Sequence, residues 1–198
     1  MKPIVIASKN QGKIKEFKEL LAEYDIEVKS LLDYSDIPDV EETGETFHEN
    51  AALKAKTIGD LLNCPVIADD SGLMVDSLDG RPGVYSARYA GEDSNDKKNN
   101  LKVLKELENV DEDKRTARFI AVLAFYRPDK EIIFREGYCE GEITFEPRGK
   151  HGFGYDPIFI PKGYTKTMAQ LKDYEKNILS HRAEALHQFK VWLNEHGL

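Results

Sequence analysis

The chain has 198 residues, 40% of them hydrophobic and 32% charged, enough to bury a core in one globular unit or in two lobes. A formal net charge of −8 argues against a nonspecific DNA or RNA binder, which needs a basic face to displace counterions. It leaves room for a small anion held by a few lysines, backbone N–H groups and a metal ion, whereas no apolar run approaches the ~20 residues that span a bilayer.

Taken in chain order, Ile4 to Ala7 reads as a short buried strand. Ile14, Phe17, Leu20, Leu21 and Tyr24 follow at helical spacing, and the alternation from Ile26 to Leu31 predicts a second strand. The strand-to-helix junction carries the polar turn Ser8, Lys9, Asn10, Gln11, Gly12, Lys13, placed where a doubly wound sheet binds phosphate. The same residues would also serve as an ordinary helix cap with a solvated lysine. The stretch over 33–44 is acidic and loop-like, and Thr46 with Glu49 forms a capping box that opens a helix carrying Ala51, Ala55, Ile58 and Leu62.

A short strand, Pro65 to Ala68, then runs into Asp69, Asp70, Ser71 and Gly72. Adjacent carboxylates at the end of an apolar strand are costly unless a cation meets them, although a turn with Asp capping is the simpler alternative. Successive strand residues point to opposite faces, so one of the two is expected to reach a ligand. A polar helix from Asn95 to Glu108 places Leu101, Leu104 and Leu107 on one side. Two β-rich segments, 116–126 and 131–143, joined by Arg127, Pro128, Asp129 and Lys130, suggest an antiparallel hairpin. Next come a Gly-rich loop over 148–154, a strand over 157–160, and a helix beginning near Ser180 that buries Leu186, Phe189 and Leu193. Glycines flanking Phe153 would let backbone lie against a ligand while the ring stacks on it; a plain hairpin loop is the alternative. Ser180 is a good N-cap, which puts His181 and Arg182 in the first helical turn. The expected class is α/β with a mixed sheet flanked by helices, 1–198 forming a single domain of two lobes.

Motifs of P-loop kinases, dinucleotide oxidoreductases, zinc proteases and serine esterases are absent from the sequence. What is present is an ordered series: Ser8-x-Asn10-x-x-Lys13, EETGETFHENA over 41–51, ADDSGL over 68–73, PGVYSARYAG over 82–91, HGFGYDPIF over 151–159 and EKNILSHR over 175–182. In this order and over nearly the full length, the series resembles the inosine triphosphate pyrophosphatase family, with no departure at a functional position. The resemblance implies an elongated mixed sheet with a cleft between two lobes, and a homodimer. It implies Mg²⁺-dependent hydrolysis of deaminated purine nucleoside triphosphates (ITP, dITP, XTP) to the monophosphate and pyrophosphate, keeping them out of DNA and RNA.

By the same resemblance Asp70 would be the proton acceptor and a metal ligand, and Glu41 the second metal ligand. Ser8, Lys9, Asn10, Gln11, Gly12 and Lys13 would grip the triphosphate, with Ser71 beside it. Phe153, Gly154, Tyr155 and Asp156, with Lys176, His181 and Arg182, would hold base and sugar. The partner expected is the purine nucleotide alone, without nucleic acid or membrane. Cys64 and Cys139 sit in no metal or redox spacing, which fits thiols in a reducing cytoplasm. Two other readings are a pyrophosphatase for other modified nucleotides and a nucleotide-binding regulator without turnover. A metal-plus-base pair such as Glu41 and Asp70 is more than simple binding requires.

Overall fold

The computed structural model describes residues 3–22, 26–91 and 95–197. The apolar run at the start forms strand β1 (Ile4–Ile6), and Asn10 caps helix α1 (Gln11–Leu21) by accepting the Lys13 backbone N–H through its side chain. Ile14 and Phe17 bury the inner face of α1, as their spacing predicts, together with Leu21. Tyr24 lies outside the described residues, as does the Leu20 side chain. The second strand, β2 (Val28–Ser30), is shorter than the alternation suggests and pairs in parallel with β1, Ile4 opposite Val28 and Ile6 opposite Ser30.

Helix α2 (Phe47–Leu62) starts where its capping box says. Thr46 Oγ1 accepts from the Glu49 N–H at 3.1 Å, and the Glu49 carboxylate accepts from the N–H groups of Thr46 and Glu45. The helix ends at Asn63 in a left-handed conformation, a residue type that tolerates it. Strand β3 (Val66–Val75) then pairs in parallel with the free edge of β1, Val5 opposite Val66 and Ile6 opposite Ile67. The strand is longer than the short one expected from the sequence and excludes the alternative of an Asp-capped turn: β3 continues through Asp69, Asp70, Ser71 and Gly72. The carboxylates are tolerated inside a strand because cations meet them, as described below.

Helix α3 (Asp96–Glu106) has Asn95 as its N-cap. Its buried face bears out the expected leucine side in part: Leu107 is buried and Leu104 packs against the same core, but Leu101 is 52% exposed and Asn99, Asn100 and Val103 are buried instead. The reason is hydrogen bonding, since both asparagines bind loop backbone that would otherwise be unpaired. Strands β4 (Thr116–Tyr126), β5 (Ile133–Ile143) and β6 (Phe159–Pro161) follow, then helices α4 (Asp173–Leu179), which the sequence did not announce, and α5 (His181–His196). Six strands among the described residues form one mixed sheet in the order β2-β1-β3-β4-β5-β6, β5 and β6 being antiparallel. Among the described residues, no helix is long and apolar enough to cross a membrane.

The chain divides into two compact units, and β3, β4 and β5 each contribute to both. Unit one comprises residues 1–70, 121–137 and 182–198. Its core joins Ile4, Ile6, Phe17, Ile67, Leu123, Phe125, Leu186 and Phe189, and Trp192 lies 5.7 Å from Phe125 in an edge-on arrangement. Unit two comprises 71–120 and 138–181. Its core joins Leu73, Val75, Val103, Leu107, Phe119, Ile143, Phe159 and Met168. There the buried Arg115 donates to the carbonyls of Leu107, Val110, Ile143 and Thr144, so an ion without a carboxylate partner among those bonds is held by backbone dipoles.

Candidate active site

In unit one the phosphate-type turn sits after β1, between the strand that follows it through α1 and the strand reached through α2. The carboxyl end of a strand so flanked is a topological switch point, where backbone N–H groups and a helix N-terminus face an open crevice. The Asn10 N–H donates to Ser8 Oγ at 3.1 Å, and Asn10 Oδ1 accepts from the Lys13 N–H at 3.1 Å, which sets the turn's shape. Gln11 and Gly12 are the first two residues of α1. Lys9 is exposed and pairs with Asp39 at 2.6 Å. Lys13 instead reaches back to β3, where its ammonium lies 2.7 Å from Asp69 Oδ2.

Asp69 and Asp70 show opposite electrostatics. Burial pushes the Asp69 pKa up, but Lys13 and Arg182 outweigh it and hold the carboxyl well below the usual range. Arg182 Nε is 3.3 Å from Asp69 Oδ2, and its Nη1 pairs with the buried Glu16 of α1. Asp70 is raised instead: burial dominates, Lys54 opposes it, and Glu42 adds repulsion. Lys54 Nζ lies 2.6 Å from Glu42 Oε1, 2.8 Å from the Asp69 carbonyl oxygen and 3.6 Å from Asp70 Oδ1. Its own pKa is raised, burial being overcome by Asp70 and Glu42. Asp70 Oδ2 is buried with no hydrogen-bond partner among the described residues.

That unpartnered carboxylate oxygen fits a hard cation. Among the described residues, no cluster of three or more His, Cys, Asp or Glu could cage an ion. A partial set of oxygens suits Mg²⁺, which keeps waters and takes substrate phosphate oxygens as ligands. Glu41 is exposed on the loop before α2; its neighbour Glu42 and, more weakly, Asp69 are the carboxylates that repel charge on Asp70. Sequence reasoning missed Lys54, although a signal existed. It falls on the buried stripe of α2 with Asn50, Ala51, Ala55 and Ile58, where a lysine is out of place unless paired.

Ser71, next in β3, falls in unit two and is partly buried. Of the remaining predicted residues of that unit, Phe153, Gly154, Tyr155 and Asp156 lie on one loop and Lys176 reaches it. Gly152 has φ +77° and Gly154 φ +61°, and a Cβ on Gly152 would come within 2.0 Å of Asp156 Oδ2, so glycine is required there by both backbone and space. That oxygen accepts from the Phe153 N–H at 3.0 Å and from Lys176 Nζ at 2.9 Å. The Lys176 ammonium also stands 4.7 Å from the centre of the Phe153 ring, a cation–π distance. Tyr155 is buried and donates to the Ser86 carbonyl at 2.7 Å; burial raises its pKa. His181 is buried and stacks on Phe119 with ring centres 4.9 Å apart. Phe153, Asp156 and Lys176 are thus brought together, while Tyr155 and His181 are fixed by other partners.

Residues 4–192 match the Ham1 family, and the chain belongs to that family. It is 60% identical to a protein of Oceanobacillus iheyensis named dITP/XTP pyrophosphatase, the match covering 98% of this chain and 99% of that one. A protein of the same name from Halalkalibacterium halodurans is 55% identical over 98% of this chain and all of its own, 100%. Among solved structures, the Staphylococcus aureus Ham1 protein superposes with a TM-score of 0.87 at 46% identity, covering 98% of this chain and 99% of that one.

Proposed function

We propose that this chain is a nucleoside triphosphate pyrophosphohydrolase. It hydrolyses deaminated purine nucleotides (ITP, dITP and XTP) to the monophosphate and pyrophosphate, and so keeps them from polymerases. The observation that carries the reading is the pair in β3. Asp69 is paired through Oδ2 with Lys13 and Arg182 and lowered in pKa, whereas Asp70 is buried, has Lys54 at 3.6 Å, and is raised in pKa. A carboxylate raised toward neutrality is a stronger base than a solvated one. The relatives' printed name supports the substrate class.

In this reading the Asp70 carboxylate takes the proton of a water molecule as the water oxygen bonds to the α-phosphorus and the α–β bridging P–O bond breaks. Lys13, the helix-capping turn Ser8–Lys13 and Ser71 hold the triphosphate, and Lys13 offsets charge on the departing pyrophosphate. Mg²⁺, held by Asp70 and Glu41, would supply charge neutralisation on the phosphate oxygens. Phe153 offers a ring to stack on the base, Gly154, Tyr155 and Asp156 fix the loop, and Lys176, His181 and Arg182 complete base and sugar recognition. Arg182 acts in the orientation that Glu16 and Asp69 impose on it. The reading carries with it a cytoplasmic homodimer.

Turnover of ITP with Mg²⁺ in ¹⁸O-labelled water tests this directly. The expected products are IMP carrying the label and unlabelled pyrophosphate. Release of orthophosphate, or label in the pyrophosphate, would place attack at another phosphorus and overturn the assignment.

A further inference from the structure

The buried asparagines of α3 belong to none of the roles above. Asn100, 4% exposed, donates through Nδ2 to the Gly154 carbonyl at 2.8 Å and to the Asp96 carbonyl at 2.7 Å. One turn earlier, Asp96 Oδ2 accepts the Gly154 N–H at 2.7 Å. Both backbone groups of one glycine are therefore taken by side chains at i and i+4 of a single helix. The residue before Asn100 ties down a second loop. Asn99 Oδ1 accepts the Ala90 N–H at 2.7 Å, and its Nδ2 donates to the Ala87 carbonyl at 3.0 Å. That ties down the segment over 82–91, whose Ser86 carbonyl in turn accepts the Tyr155 hydroxyl.

We infer that Asp96 and Asn100 are positioning residues that hold the Gly154 peptide, and with it the Phe153 ring, in the orientation needed to receive the nucleobase. The geometry carries this. Gly154 lies between Phe153 and Tyr155 at φ +61°, a conformation open to many alternatives in a glycine, so something must select it. Asp96 and Asn100 select it before any ligand arrives, which removes an ordering cost from binding. The inference rests on the proposed nucleotide reading for its functional half, and on the hydrogen bonds alone for its structural half.

Asp96 is exposed, so Asp96→Ala leaves the core untouched, and Asp96→Asn keeps the acceptor oxygen while removing the charge. Asn100→Leu keeps the volume and removes the donors. Asp96→Ala and Asn100→Leu should each raise the KM for ITP, by roughly two- to tenfold for a lost hydrogen bond, with a smaller change in kcat. Asp96→Asn should return close to wild type. Inorganic tripolyphosphate, which has no base, should inhibit the wild type and all three variants with Ki values within twofold. Hydrogen exchange of the amides over 151–156 should quicken in Asp96→Ala and Asn100→Leu and not in Asp96→Asn. An unchanged ITP KM in Asp96→Ala, or a tripolyphosphate Ki that rises in parallel with it, overturns the positioning role. Unchanged amide exchange overturns the clamp itself. A wild type that binds tripolyphosphate but does not cleave ITP counts against the proposed function, and the exchange result then decides the clamp on its own.

Discussion

The Asp69 carboxylate lies between the Lys13 ammonium and the Arg182 guanidinium, while that of Asp70, one residue on, leaves Oδ2 without a partner among the described residues. The two should therefore respond in opposite ways to losing their charge. Asp69 has a depressed folded pKa, so its contribution to stability is present above the unfolded value of ~4 and is lost as pH falls through the folded value. Asp70 has a raised folded pKa, so stability is highest below ~4 and declines as pH rises through the folded value. Asp69→Asn leaves buried cations uncompensated and should cost about 3–5 kcal/mol at pH 7. Asp70→Asn should instead raise stability at pH 7, with the gain shrinking toward pH ~4, while turnover falls on the order of 10²–10⁴-fold. Urea unfolding of both variants with metal chelated, at the two pH values, checks the signs; an Asp70→Asn protein less stable than wild type at pH 7 would contradict them. Alternation, which is local, predicts from the sequence that the two strand neighbours differ in surroundings and that one of them faces a ligand. Which one it is depends on Lys13, Lys54 and Arg182, which lie far from the pair in the chain.

Elements were legible where their signals are short-range. The capping box of Thr46 and Glu49 marked the start of α2 to the residue, because its four hydrogen-bonding groups lie within four residues. Thr46→Ala should cost ~1 kcal/mol of unfolding free energy, measured by urea titration; a loss below the error of that titration would mean Glu49 holds the helix start alone. The same box explains part of the motif over 41–51 without invoking ligand, since Asn50 Oδ1 also accepts the Gly44 N–H at 2.8 Å. Other elements were hidden. Helix α4 is two turns long and exposes Tyr174 and Ile178, so it has no apolar stripe to read. The inner face of α3 is legible in Leu104 and Leu107, but hydrophobicity also points to the exposed Leu101 and passes over Asn99 and Asn100, which are buried by partners on loops up to 54 residues away. Buried amides follow hydrogen-bond need, and that need is set by tertiary structure.

Across the whole chain, the division into units was less legible than the motifs, because β3, β4 and β5 each carry residues of both. No composition shift marks such a boundary when the chain passes it inside a strand. The match to the Ham1 family over 4–192 covers both units, so the resemblance noticed in scattered motifs extends to the chain as a whole. This chain belongs with enzymes that select deaminated purines among nucleoside triphosphates, and such selection is open to direct measurement. The measurement that tests it most directly is steady-state pyrophosphate release from ITP, XTP, GTP and ATP at saturating Mg²⁺. Hydrogen-bond donors facing the base edge would favour the 6-oxo group of hypoxanthine and xanthine over the adenine amino group, and ~2.7 kcal/mol of transition-state discrimination gives a 100-fold ratio. The account predicts kcat/KM for ITP and XTP at least about 100-fold above ATP. Comparable values for ATP and ITP would contradict it.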